Sequence, residues 1–175
     1  MFKLREIERE DIPIINSWRA KKSLIDYLGA PFRYINKEVD YKWYEYYMNN
    51  RDKNIRCSIL DENDKLVGLV SLTNIDRLNQ KAEFHIMIGD QNDRGKGIGS
   101  FATNEILKHA FYDMNLNRIE LSVLKNNLRA INFYKKIGFK EEGINRQAIY
   151  KNGEFVDVII MGILKEDFKK DPSNG

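Results

Sequence analysis

Residues Asp93–Phe111 read DRGKGIGSFATNEILKHAF. Gly95, Gly97 and Gly99 alternate with Lys96 and Ile98; then the glycines stop and helical spacing begins. A strand ending near Ile88 leads into this run. A helix start leaves its first N–H groups unpaired and carries a partial positive charge. Glycines let a ligand approach those donors with no Cβ in the way, and Arg94 and Lys96 add full charges. The junction is therefore expected to hold an anion, phosphates above all. A P-loop is excluded, because GxxxxGK[ST] is absent. A dinucleotide site fits poorly. Gly97-Ile98-Gly99-Ser100-Phe101-Ala102 matches GxGxxA loosely, but Glu120, at the distance of a ribose-binding acid, lies inside RIELSV rather than at its end.

Working outward, FKLREI alternates apolar and charged residues and reads as a first strand. Asp11 is expected to cap a helix with Pro13 in its first turn, running through Ile14, Ile15 and Trp18. A Gly-Pro loop, LGAPFRYIN, precedes a second helix, KEVDYKWYEYYMNN, with aromatics at helical spacing. IRCSILDENDKLVGLVSL is a hairpin, and QKAEFHIMIGD is a strand after a polar turn at Asp76 to Gln80. Beyond the glycine segment the helix runs to about Tyr112. NRIELSVL is a strand, LRAINFYKKIGF a helix closed by Gly138, and FVDVIIMGIL a final strand. The class is α/β (α+β): a mixed, mostly antiparallel sheet of about six or seven strands flanked by about four helices. One domain is expected over residues 1–168, with KKDPSNG (169–175) a disordered tail.

Composition narrows the function classes. Of 175 residues, 42% are hydrophobic and 31% charged, and the net charge of +3 is spread along the chain, so no nucleic-acid partner is expected. One cysteine, Cys57, and two histidines, His85 and His109, argue against a disulfide framework and a metal centre. MFKLREIEREDI is charged from its third residue, unlike a secretory signal, and no apolar run approaches the roughly 18 residues of a membrane span. A cytoplasmic protein with no membrane partner is expected.

Arg94-Gly95-Lys96-Gly97-Ile98-Gly99 resembles the R/Q-x-x-G-x-G/A pyrophosphate loop of the GNAT superfamily of acetyl-CoA-dependent N-acetyltransferases. Asn127-Leu128-Arg129-Ala130, then Tyr134, then Gly138-Phe139 resembles that superfamily's N-x-x-A…Y…GF segment. The element order agrees from residue 2 to about 168. The resemblance implies an N-acetyltransferase that moves an acetyl group from acetyl-CoA to a primary amine by direct attack in a ternary complex, with no metal. It implies that the backbone from Arg94 to Gly99 holds the pyrophosphate and that Ile86, Met87 and Ile88 pair with the pantetheine arm where two strands splay apart. Asn127 would bond that arm. Arg129 and Lys135 either reach the adenosine 3′-phosphate or are ordinary exposed charges.

Acetyl transfer needs an amine relieved of its proton. Glu83 shares a strand face with His85, and is either the base or one half of a structural ion pair; His85 is either a proton relay or a satisfied polar residue. Tyr134 matches the superfamily's general-acid tyrosine; otherwise it packs under the Gly-Phe turn. The acceptor is expected over the N-terminal helices, with Trp18, Tyr27, Phe32, Glu83 and His85 as its contacts. The segment Ala82-Glu83-Phe84-His85, the loop before it, and the ending Tyr150-Lys151-Asn152-Gly153-Glu154-Phe155-Val156-Asp157-Val158 resemble spermidine and diamine acetyltransferases, which favours a polyamine, for which Asp26, Glu38, Asp40, Glu45 and Glu83 could supply carboxylates. Arg19, Lys22 and Arg33 favour instead a nucleotide-linked amino sugar, and a protein N-terminus is a third choice. A non-catalytic acetyl-CoA-binding protein would have no use for Tyr134, Asn127 and Glu83 together. The apolar last strand is consistent with a homodimer or larger homo-oligomer.

Overall fold

The computed structural model describes residues 1–168; the tail expected at 169–175 lies outside the described residues. In chain order the elements are β1 (Lys3–Glu6), α1 (Ile12–Arg19), α2 (Lys22–Ile25), α3 (Lys37–Asn49), β2 (Ile55–Leu60), β3 (Leu66–Asp76), β4 (Lys81–Ile88), α4 (Ile98–Lys108), β5 (Arg118–Leu124), α5 (Leu128–Ile137), β6 (Lys140–Lys151) and β7 (Glu154–Leu164). One seven-stranded sheet has the order β1-β2-β3-β4-β5-β7-β6. Every neighbouring pair is antiparallel except β4 and β5.

Period-two alternation gives the sheet two apolar faces. Ile59, Val70, Leu72, Phe84 and Ile119 form one core with Ile98, Ala102 and Ile106 of α4 and Ile131 of α5. Leu60, Leu66 and Leu69 form the other, beneath Ile12, Ile15, Leu24, Ile25 and Tyr47 of α1, α2 and α3. Helices thus cover both sides, as the sequence pattern indicates.

Three local expectations are corrected. The Gly-Pro loop is preceded by a short extra helix, α2. Strand β6 was not anticipated, because KEEGINRQAIYK is exposed along nearly its whole length and carries no apolar alternation. Its pairing with β7, closed by a turn at Asn152 (φ 51°) and Gly153 (φ 85°), makes it a strand. Asp11 does not cap α1. Its carboxylate turns back to Arg5 (2.7 and 2.8 Å), the Glu8 N–H (2.9 Å) and the Ser58 hydroxyl (2.7 Å), tying β1, the helix entry and β2 together.

Burial alone would raise the pKa of Asp11, but the Arg5, Glu8 and Ser58 donors outweigh it and hold the group below its ordinary value. A carboxylate lowered in this way adds stability above its unfolded pKa and loses it as pH falls through the folded one. Asp11→Asn is expected to lower unfolding stability at pH 7 by about 2 kcal/mol and to flatten the loss on acidification. Urea titrations of both proteins across pH 3–7 check this; parallel pH profiles would remove Asp11 from the account.

Candidate functional site

Parallel strands β4 and β5 pair only at Lys81↔Arg118, Ala82↔Ile119 and Glu83↔Glu120. Beyond them β4 continues on β3 to Ile88, and β5 continues on β7 to Leu124. The two strands therefore part after Glu83, and their facing backbone edges lose each other as partners. Two cavities meet at this gap.

The smaller, about 540 Å³, is lined by Ile86, Met87 and Ile88 of β4, by Arg94, Gly95, Gly97, Ile98, Gly99 and Ser100, and by Asn127, Arg129 and Tyr134. Gly95 (φ +84°) and Gly97 (φ +82°) adopt a left-handed backbone that side chains disfavour, and a Cβ on either would meet nothing within 4 Å. Gly97 is the N-cap of α4, so the first N–H groups of that helix open onto this space. The chemistry of such a cradle suits an anionic diphosphate, and the parted strands lie beside it. Arg94 rests over the Tyr27 ring (5.1 Å), and Asn127 caps α5 through Ala130 N–H while its Nδ2 lies 3.5 Å from Tyr27 O.

The larger cavity, about 950 Å³, lies on the α1–α3 side and is lined by Arg56 of β2, by Leu69, Ser71 and Thr73 of β3, and by the stretches 83–87 of β4 and 120–124 of β5. Glu83 and His85 both line it, His85 Nε2 standing 3.8 Å from Glu83 and 2.9 Å from Thr73 Oγ1. Loss of surrounding water in the cleft, where Glu83 opposes and Arg56 adds to the effect, holds the His85 pKa below its ordinary value. The ring is thus neutral at pH 7 and able to accept a proton. Tyr134 lines both cavities. Its ring is edge-on to Phe84 (5.9 Å) and Phe139 (5.6 Å), and burial pushes its pKa up to about 12, so the phenol stays protonated.

Tyr27 lines both cavities, but several expected contacts fall outside them. Trp18 belongs to the core beneath α1; a Cβ on Gly89 would lie 1.9 Å from its ring, so glycine there admits the indole. Phe32 packs on that core and against Tyr34. Lys96 pairs with Asp93 (2.8 Å) and Lys135 with Glu141 (3.0 Å), and neither lines the smaller cavity. Of the five candidate carboxylates, Glu83 alone lines the larger cavity. Asp26 is held by Lys22, Glu45 by Arg9, and the fully buried Asp40 by Asn16 and Arg19.

Sequence reasoning missed Arg56 and Ser71 in the larger cavity and Ser100 and Phe133 in the smaller. The alternation in IRCSIL, which turns Arg56 to the face opposite Ile55 and Cys57, was a usable signal. Lys151 was missed too. This nearly buried ammonium donates to Ile25 O (2.9 Å) and Ala30 O (2.5 Å), while Lys22 reaches Asn152. The β6–β7 turn thereby fastens the segment bearing Tyr27 and Leu28, which lines both cavities. Among the described residues no group of three or more His, Cys, Asp and Glu side chains could hold a metal ion, and no helix is long and apolar enough to cross a membrane.

A glycine-lined helix start, a parted sheet and a second cleft, with Tyr27 and Tyr134 lining both cavities, give the chain the layout of a transferase that brings two substrates together. An acetyltransferase (GNAT) domain model matches residues 2–140, and the chain belongs to that family. It is an N-acetyltransferase with acetyl-CoA as co-substrate. It is similar to the spermidine N(1)-acetyltransferase of Vibrio cholerae, 30% identical over 166 residues that make up 94% of each chain. It is also similar to the same enzyme of Escherichia coli K12, 29% identical over 95% of this chain and 87% of that one. The crystal structure of the Vibrio cholerae spermidine N-acetyltransferase with CoA and spermine superposes with a TM-score of 0.89 at 28% identity, covering 95% of this chain and 96% of that one.

Gly97→Val would force a branched side chain into a left-handed backbone and into the cradle itself. Calorimetric titration is expected to show acetyl-CoA affinity lowered at least tenfold with the melting transition still cooperative. Undiminished affinity would contradict the cradle.

Proposed function

We propose that this enzyme transfers acetyl directly from acetyl-CoA to the primary amine of a small acceptor while both are bound. One observation carries the reading: Tyr134 lines the cradle cavity and the larger cleft at once. The cradle from Arg94 to Gly99 would take the diphosphate, the β4 edge at Ile86–Ile88 the pantetheine arm, Asn127 the same arm, and Arg129 the outer phosphate. Bound acetyl-CoA supplies an acyl group activated as a thioester.

The chain's own groups manage the protons. An ammonium must lose one before it can attack. Glu83, with His85 beside it, receives that proton on the acceptor side of the gap. Tyr134, protonated through neutral pH, donates to the sulfur as the carbon–sulfur bond breaks. Backbone N–H groups left unpaired where β4 leaves β5 can face the acyl oxygen.

Similarity to the spermidine enzymes over most of both chains supports a polyamine or diamine acceptor. The charges of the larger cleft favour the alternative, an amine with an anionic portion such as a nucleotide-linked amino sugar. Arg19, Lys53 and Arg56 line it with two carboxylates, Glu83 and Glu120, and Glu120 is already bound by Arg118 (2.9 Å) and Lys81 (3.3 Å).

Free-thiol release from acetyl-CoA, measured across polyamines, amino-sugar conjugates and a short peptide, tests the activity. Tyr134→Phe is expected to lower kcat at least tenfold with acetyl-CoA affinity retained, since packing survives and one proton donor is lost. Equal turnover would take Tyr134 out of the chemistry. Glu83→Gln is expected to move the acid limb of the pH–rate profile to higher pH; a superimposable profile would leave Glu83 structural.

A further inference from the structure

Arg56 faces Ser71 across β2 and β3, and Ser71 faces His85 across β3 and β4. The three form one row on the floor of the larger cavity, and all three line it. With strands about 4.8 Å apart, some 10 Å of sheet separates Arg56 from His85. The Arg56 guanidinium lies over the Trp43 ring at 4.7 Å and donates to Ser71 Oγ at 3.3 Å. Tyr47, with its hydroxyl turned to Glu6, is beneath the same strand.

Half-buried cations are normally paired, because removing a charge from water is costly unless an opposite charge or several acceptors replace the water. Arg5, Arg19 and Arg118 obey this through Asp11, Asp40 and Glu142. Among the described residues, two partly buried arginines have no carboxylate partner: Arg94 at the glycine cradle and Arg56. Burial pushes the Arg56 pKa down, with Tyr47 opposing and Arg19 adding to the fall, and no carboxylate contributes. Its neighbour Arg19 is already spent on Asp40, and Lys53 stands exposed on the same lining. Among the described residues, the only uncommitted carboxylate lining the cavity is Glu83, beside His85 at the other end of the row.

We infer that Arg56, backed by Trp43 and Ser71, is an oxyanion subsite of the acceptor cleft, and that the acceptor is a primary amine that also carries a phosphate or a carboxylate. The amine lies toward Glu83 and His85, and the oxyanion takes the guanidinium donors that Ser71 leaves open, in the charge-assisted geometry arginine favours. An unmodified polyamine would bring a second ammonium toward that guanidinium with no carboxylate to receive it. This inference rests on the acetyl-transfer reading of the same site and names its substrate class.

Matched acceptors test it: putrescine against 4-aminobutyrate, and glucosamine against glucosamine 6-phosphate, each by thiol release from acetyl-CoA. The anionic member of at least one pair is expected to exceed its partner at least tenfold in kcat/KM, and the better pair tells carboxylate from phosphate. Arg56→Gln is expected to erase most of that preference through KM, and Arg56→Lys to restore part of it. In parallel, inorganic phosphate is titrated into protein saturated with CoA, which occupies the cradle, with tryptophan fluorescence as the readout; Arg56→Gln is expected to weaken that binding at least tenfold. Equal or better use of putrescine and glucosamine, with a preference that Arg56→Gln does not alter, overturns the subsite. So does phosphate binding indifferent to Arg56→Gln. Absence of thiol release with every amine counts against the transferase reading instead, and the phosphate titration then decides on Arg56 alone.

Discussion

Three residue pairs hold β4 to β5, and both cavities of the candidate site open where that pairing stops at Glu83↔Glu120. Upstream, the junction is fastened by Arg118 and Lys81 on Glu120 and by the Gln80 carbonyl, which accepts from Asn117 and Arg118 N–H. Downstream, each strand keeps its outer partner, so the sheet parts without losing its frame. Phe84 is the first β4 residue past the last pair, and Tyr134 from α5 stands edge-on against it. Backbone donors and acceptors that a continued ladder would consume are thus available to a ligand at low conformational cost. The glycine segment Gly95–Gly99 follows the end of β4 after a short turn, so one stretch of chain lines both the parted edge and the helix start.

On the opposite face, helices α1–α3 roof the second cleft, and their placement is electrostatic as much as apolar. Asp11 joins β1 and β2 to the entry of α1, Asp40 joins α3 to α1 through Asn16 and Arg19, and Lys151 reaches from the β6–β7 turn to the carbonyls of Ile25 and Ala30. Each of these uses up a charge. What is left uncommitted over the cleft is therefore informative, since a charge that stabilises nothing in the fold is a charge kept for a ligand. By that measure Arg56, at one end of the Arg56–Ser71–His85 row, and Glu83, beside His85 at the other, are, with the exposed Lys53, the charges of the cleft lining that have no fully charged partner among the described residues.

Most of the fold and the cofactor side of the site were legible because their signals are local. Glycines with φ near +80° at a strand–helix junction, a capping Asn127 and a tyrosine one turn before Gly138 lie within short windows. β6 was not legible from apolar pattern, being held by β7 while facing solvent, although the Asn152-Gly153 pair is a hairpin signal in its own right. The acceptor side failed for another reason. Trp18 has the aromatic character of a pocket but the helical spacing of a core, and it is buried there; Phe32, in the loop before α3, packs against the same core. Arg56, Ser71 and His85 are distant in sequence and become neighbours only through the registers of two antiparallel pairings. Long charged side chains such as Lys96 and Lys135 found carboxylates nearby, which spacing alone does not reveal.

Two cavities that meet at one gap, with Tyr134 lining both, have a kinetic consequence that requires no knowledge of which residue moves which proton. On the proposed direct transfer, initial rates measured with acetyl-CoA and the best acceptor amine both varied are expected to give intersecting double-reciprocal lines, because both cavities must then be filled at once. Parallel lines would signal an acetylated enzyme formed before the amine arrives, and would contradict direct transfer at Tyr134.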